Sequence, residues 1–174
     1  QLVVKVGPLL REECAWLGRG QAIMAFQHLA VAPRETAQVL RQKGLTLIAY
    51  ELMQAADGSL PVLVPMSQIA GRLAVQVAAH YLEGVNGGRG VLLGGVPGVP
   101  PAEVGILGGG VVGSNAARAF LGLGARVTVL DSDLRRLQHI DDVCGGQAST
   151  ALATRPSIER MVRWVDVLVA AVLV

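Results

Sequence analysis

The stretch Val104-Gly105-Ile106-Leu107-Gly108-Gly109-Gly110-Val111-Val112-Gly113 decides how the rest of the chain is read. It carries G-x-G-x-x-G on Gly108, Gly110 and Gly113, directly behind an apolar run. In a chain with 22 glycines the pattern by itself carries little weight, so its surroundings must support it. Val104 to Leu107 reads as a short buried strand, and Val112, Ala116, Phe120 and Leu123 recur at helical spacing after the turn. The helix stops at Gly122-Leu123-Gly124, and Arg126 to Leu130 forms a second strand that ends on Asp131, eighteen residues after Gly113. Strand, glycine turn, helix, strand and acid follow one another in the order of a dinucleotide-binding βαβ unit.

Each residue type has a physical task in such a unit. The first glycine makes the tight turn, the second lets the backbone approach a pyrophosphate, and the third lets helix and strand pack closely. Val111 and Val112 then lie at the helix start, where free N–H groups and the positive dipole end hold phosphates. Asp131 accepts hydrogen bonds from the adenosine ribose hydroxyls, and its charge repels a 2′-phosphate, which favours NAD over NADP. Arg135 and Arg136 follow closely and pull the other way. The plain alternative is a glycine-rich turn in some other α/β domain.

Composition sets the outer limits. At 174 residues, 52% apolar and 16% charged, the chain has ample material for one large or two small cored domains. A net charge of +2 without a basic cluster, and only 3% aromatic residues, argue against a nucleic-acid partner. Cys14 and Cys144 form neither a C-x-x-C nor a disulfide framework, which fits a reducing cytoplasm. The apolar run from Val167 to Val174 is eight residues long and cannot span a bilayer, and no secretory signal is recognisable. The sequence starts and stops inside strand-like runs, so an internal fragment is expected.

Working outward, Leu2 to Val6 reads as a strand closed by Gly7-Pro8, and Leu9 to Trp16 as a short helix. Ala22 to Phe26 is an apolar strand that delivers Gln27 and His28 at its C-terminal end, where open α/β sheets place ligand groups. Pro33 opens a helix that stops at Gly44, and Leu45 to Tyr50 is a third strand. Asp57-Gly58 makes a turn before a segment over Leu60 to Val64, which Pro65 ends. From Met66, the residues Ile69, Leu73, Val77 and Tyr81 fall four apart and predict a bridging helix of about four turns, with Ser67 near its N-terminus. Glu83 to Pro101 is dense in glycine and proline and reads as loop. Beyond Asp131 come a helix over Leu134 to Val143, a strand over Ala148 to Ala153, a helix over Ile158 to Trp164 and a strand over Val167 to Val172. The expected fold class is α/β: an incomplete Rossmann-type, doubly wound parallel sheet over 67–174, preceded over 1–66 by part of a second α/β substrate domain.

Several longer motifs resemble one family. Gln21 to Ala32 (QAIMAFQHLAVA), Ile48 to Glu51 (IAYE), Leu60 to Arg72 (LPVLVPMSQIAGR), Gly87 to Val99 (GGRGVLLGGVPGV) and Gly108 to Asn115 (GGGVVGSN) are similar to alanine dehydrogenase. The related transhydrogenase α-subunit shares the layout but is not expected to show GGRGVLLGGVPGV. The resemblance implies a cytoplasmic oxidoreductase that converts L-alanine, NAD and water to pyruvate, ammonia and NADH, acting as a homohexamer on small molecules without a membrane or nucleic-acid partner. It also implies that segments on both sides of this chain, with further substrate-binding and active-site residues, lie elsewhere.

By the same resemblance His28 falls on the family's active-site histidine, which hydrogen-bonds the substrate oxygen and moves a proton as the carbinolamine collapses. Histidine suits that work because an imidazole ordinarily titrates near neutrality. Ser67 falls on a serine that contacts the cofactor, a role compatible with a helix N-cap. Met66 lies beside the substrate in the family, Arg136 falls where a basic residue lies near the adenosine ribose, and Val172 and Leu173 match a stretch passing the nicotinamide ring. His80 and His139 match no family site and are expected on the surface of helices.

One departure bears on substrate binding. The family reads K-V-K-E-P around its substrate lysine, whereas this chain reads Lys5-Val6-Gly7-Pro8, one residue shorter. Lys5 aligns with the first lysine, so it serves as carboxylate anchor only if the strand end slips in register. Two functional classes therefore remain: an alanine dehydrogenase seen in part, or a catalytically inactive NAD-binding or oligomer-forming relative, with a transhydrogenase-like subunit as the third reading.

Overall fold

A computed structural model describes residues 1–29 and 31–172 and divides the chain into two compact units, Gln1–Pro65 and Met66–Val174. Leu173, matched above to the nicotinamide stretch, lies outside the described residues.

The first unit is a three-stranded parallel sheet in the order β1-β2-β3, formed by β1 (Leu2–Val4), β2 (Ala22–Ala25) and β3 (Thr46–Ala49). Ile23 and Ala25 are fully buried on the central strand, and Leu9, Cys14, Leu17 and Leu40 close over them. Two helices connect the strands, α1 (Glu13–Trp16) and α2 (Arg34–Gln42). α1 is shorter than the expected run from Leu9. Its last carbonyls find a partner outside the helix, since Lys43 Nζ donates to the carbonyls of Cys14 and Leu17, each at 2.7 Å. That contact satisfies acceptors a single turn leaves open. Gly44 follows α2 at φ 60°, the left-handed geometry that ends a helix on glycine.

The second unit is the four-stranded parallel sheet expected around the glycine turn. Its strands are β4 (Glu103–Leu107), β5 (Arg126–Asp131), β6 (Ser149–Leu152) and β7 (Val167–Ala170), in the order β6-β5-β4-β7. Numbered from the glycine strand this is 3-2-1-4, so the winding reverses between β4 and β7. Val104, Ile106 and Val129 are wholly buried, and α4 (Val111–Gly122) lays Ala116, Ala117 and Phe120 against them. α5 (Leu134–Cys144) and α6 (Arg155–Met161) complete the connections. α6 starts three residues earlier than the periodicity suggested, because Thr154 and Ser157 form a capping box and Arg155-Pro156 fill the first turn.

α3 (Leu63–Leu82) departs from the sequence reading in two respects. It absorbs Leu63 and Val64, so Pro65 sits inside the first turn, where its missing N–H breaks no hydrogen bond. Ser67 is consequently the fifth helical residue and does not cap the helix. The stripe Ile69, Leu73, Val77 and Tyr81 is exposed, whereas Gly71, Val75 and Leu82 are buried and Ala74 and Ala78 pack behind them. Small residues are what this contact requires: a Cβ on Gly71 would stand 2.4 Å from the carbonyl oxygen of Val112 on α4. The G-rich loop is built in the same manner. A Cβ on Gly88 would meet the carbonyl of Tyr81 at 2.1 Å, and one on Gly94 that of Leu123 at 2.2 Å. Val96-Pro97-Gly98-Val99 closes a tight turn with Gly98 at φ 88° and mutual hydrogen bonds between Val96 and Val99.

Candidate functional site

The crevice of an open α/β sheet lies beyond the carboxyl ends of its strands where the winding reverses, here at the ends of β4 and β7. Gly108 leaves β4 at φ 99°, and its N–H donates to the Leu130 carbonyl at 2.7 Å. A Cβ on Gly108 would stand 2.6 Å from the Ala171 carbonyl and 2.9 Å from Val172, so this turn abuts the end of β7, where Val172 is exposed. A Cβ on Gly113 would stand 1.8 Å from the Gly108 carbonyl, the helix-to-turn contact expected of the third glycine. Gly110 differs from both. Nothing lies within 4 Å of where its Cβ would be, and it immediately precedes α4, so the open space faces the helix start formed by Val111 and Val112. This cradle fits a pyrophosphate, because an open backbone face and the first N–H groups of α4, which a helix leaves without an intrahelical partner, coincide there.

Asp131 ends β5, 4% exposed. Its Oδ2 accepts from the Gly109 N–H at 2.6 Å, its Oδ1 accepts from the Asp133 N–H at 2.8 Å, and Arg136 lies 3.6 Å away. Burial pushes its carboxyl pKa up, but the donors from Asp133 and Gly109, with the Arg136 charge, hold it below the usual carboxylate value. The acid therefore fixes the glycine loop, a task the sequence did not reveal, and two accepted bonds leave lone pairs for a ligand hydroxyl. Arg136 is directed at Asp131 and Arg135 at Asp133, so both basic residues meet acids.

In the first unit, β2 delivers Phe26, Gln27 and His28 past its end. His28 has φ 45°, the one described non-glycine residue with positive φ, a conformation that persists only when its surroundings impose it. The constraint is Glu51, whose carboxylate accepts from the His28 N–H at 2.6 Å and the Gln27 N–H at 3.2 Å. Burial pushes the Glu51 pKa up, yet its own N–H and those of His28 and Gln27 bring it below the usual value. The exposed imidazole lies nearly parallel to the Phe26 ring, 6.0 Å between centroids. Glu51 was legible only as part of IAYE, because its partners are 24 and 23 residues away in sequence.

Lys5 and His28 are not brought together. Lys5 pairs with Glu13 and lines a cleft with Trp16 and Gln21, while His28 lines another with Arg11, Gln27 and Glu35. Met66 and Ser67 sit in the first turns of α3, Met66 exposed and Ser67 half-buried. His80 and His139 are exposed on α3 and α5, as expected. Among the described residues no cluster is suited to hold a metal ion, and no helix is long and apolar enough to cross a membrane.

Comparison with known proteins agrees with this layout. Residues 1–70 match the family model described as the alanine dehydrogenase/PNT N-terminal domain, and residues 74–174 match the C-terminal domain model of the same family. The whole chain is 48% identical to an alanine dehydrogenase of Methanococcus maripaludis, of which it covers 46%. Among solved structures, an L-alanine dehydrogenase is 46% identical with a TM-score of 0.79, covering 96% of this chain and 46% of that one. A transhydrogenase from Sinorhizobium meliloti shares the fold at a TM-score of 0.67 and 22% identity, over 99% of this chain and 50% of its own. The chain thus spans about half the length of the curated relatives it matches.

Proposed function

Because the chain belongs to the alanine dehydrogenase/PNT family, we propose that it is the histidine-bearing and dinucleotide-binding portion of an NAD-dependent alanine dehydrogenase. The reaction is the reversible conversion of L-alanine, NAD and water to pyruvate, ammonia and NADH. The observation that carries this reading is the 48% identity to an alanine dehydrogenase over the whole chain, which supports a role for two elements of the structure. These are His28 held at the open end of a strand and the Gly108 turn tied to Asp131.

When bound, NAD supplies the hydride acceptor for the substrate carbon. The residues of this chain have the remaining tasks. Gly110, Val111 and Val112 present backbone to the pyrophosphate, and Asp131 takes the ribose hydroxyls and disfavours a 2′-phosphate. Arg136 lies beside the same ribose, Ser67 contacts the cofactor, Met66 flanks the substrate, and Val172 borders the nicotinamide. His28 binds the substrate oxygen and relays its proton, and Glu51 acts as a positioning residue by fixing the backbone that aims the ring. The division of labour is substrate binding in 1–66 and NAD binding in 67–174. The full-length protein is a cytoplasmic homohexamer; the two buried free thiols, Cys14 and Cys144, suit a reducing compartment.

The test is a chimera in which this chain replaces the corresponding segment of the Methanococcus maripaludis relative. It should aminate pyruvate with NADH and ammonia, and His28→Ala should lower turnover by about 10²- to 10⁴-fold while leaving NADH affinity intact. A chimera that binds NADH and pyruvate without turnover would favour the inactive-relative reading instead. Near-normal turnover of His28→Ala would show that the proton travels elsewhere.

A further inference from the structure

Two acids and two arginines pair off just past β5, beside the position assigned above to the adenosine ribose. Asp131 is buried, and its two oxygens accept from the N–H groups of Gly109 and Asp133, so its charge faces fixed donors as well as Arg136. Asp133 is half-buried and takes hold of the exposed Arg135 instead. Its Oδ1 accepts from the Arg135 N–H at 2.9 Å and from Nε at 3.4 Å, and its Oδ2 accepts from Nη2 at 3.4 Å. Among the described residues the Arg135 side chain has no other partner. Resting on the NAD site proposed above, we propose that Asp133 is a second specificity-determining residue: it holds the Arg135 guanidinium on its own carboxylate and so withholds the cation that a 2′-phosphate requires.

An arginine close to the ribose acid is the group that accommodates a 2′-phosphate, and the sequence supplies two of them. Each is matched by one acid, so the four charges cancel. A ribose hydroxyl is neutral and needs only an acceptor, so NAD loses nothing by that cancellation. A 2′-phosphate brings about two further negative charges and gains only if a guanidinium is released to it. The ion contacts of Arg135 are exposed and weak one by one, so the arginine alone could be drawn off. The carboxylate, however, stays behind. Asp133 is the N-cap of α5 and accepts from the Arg135 backbone N–H, which keeps its charge in place when the side chain leaves. A phosphate that captured Arg135 would therefore sit beside an unpaired like charge. Asparagine caps a helix as well as aspartate does, so Asp133→Asn removes that charge and frees the guanidinium without removing the cap.

The experiment titrates the 174-residue chain with NADH and, separately, with NADPH, as the parent, as Asp133→Asn and as the double variant Asp133→Asn with Arg135→Gln. Asp133→Asn should tighten NADPH at least about fivefold, the scale of one charge-assisted contact released to the ligand, and change NADH by less than about twofold. Its melting temperature should stay within about 4 °C of the parent, which separates the effect from damage to α5. In the double variant the gain on NADPH should fall below about twofold, because it passes through the Arg135 guanidinium. A smaller gain in Asp133→Asn, a gain that survives above about twofold in the double variant, or an equal gain for NADH overturns the assignment. NADH binding by the parent alongside any of those results leaves the nucleotide site standing and removes the role of Asp133 alone. A folded chain that binds neither nucleotide in any form removes the functional reading and the assignment together.

Discussion

Two alanine substitutions three residues apart should have opposite consequences. At Gly113 an added Cβ would stand 1.8 Å from the Gly108 carbonyl oxygen and 3.4 Å from Ile106. The first obstacle is backbone in a tight turn, so relief requires α4 to move off β4. Overpacking that forces backbone shifts costs about 1–3 kcal/mol, and this overlap belongs at the upper end. For a unit of this size about 3 kcal/mol corresponds to a fall of roughly 12–24 °C in melting temperature. At Gly110 the added Cβ meets nothing within 4 Å, and φ −71° with ψ −163° is ordinary for alanine. The small loss from replacing glycine as N-cap is offset by the reduced freedom of the unfolded chain, so stability should change by less than about 1 kcal/mol. NADH affinity should nonetheless fall at least about tenfold, because the methyl group occupies the space through which the pyrophosphate approaches. Calorimetric melting and NADH fluorescence titration read the two effects separately. Unimpaired NADH binding by Gly110→Ala, or a melting temperature for Gly113→Ala within about 2 °C of the parent, would refute the reasoning.

Acid should destabilise the protein through Asp131 and Glu51. Both fold with a lowered pKa, so their stabilisation is present above the unfolded value of about 4 and is lost as pH falls through the folded value. Melting temperature should accordingly drop below about pH 4, and Asp131→Asn should be less stable at pH 7 but flatter in that acid range. Glu51→Ala leaves the N–H groups of Gln27 and His28 without their acceptor and should cost about 2 kcal/mol, with hydrogen exchange accelerated first at those two amides. The chain by itself should bind NADH yet show no pyruvate amination, since turnover needs both reactants held at reacting distance and this chain spans 46% of its relative.

The glycine unit was legible because its signals are local. Apolar strand, turn glycines, helix period and strand-end acid all fall within 28 residues, and their order leaves one topology. α3 was legible as a helix but not as a packed one. Period-four apolar residues marked its exposed face, while the buried face is set by Gly71 and alanines whose value appears only once α4 lies against them. Pro65 suggested a boundary, yet the first turn of a helix accepts proline, so the start moved to Leu63. His28 could be singled out from its motif, whereas Glu51 could not be given a task. Its place depends on contacts between segments far apart in sequence, which no spacing encodes.

The central claim is that the Gly108 turn and Asp131 bind NAD. Its most direct test is a calorimetric titration of the chain with NADH and, separately, with NADPH. The account predicts saturable NADH binding at one site, at least about tenfold tighter than NADPH, with Asp131→Asn narrowing the gap. Equal affinity for the two nucleotides, or no binding of NADH by a folded chain, would contradict it.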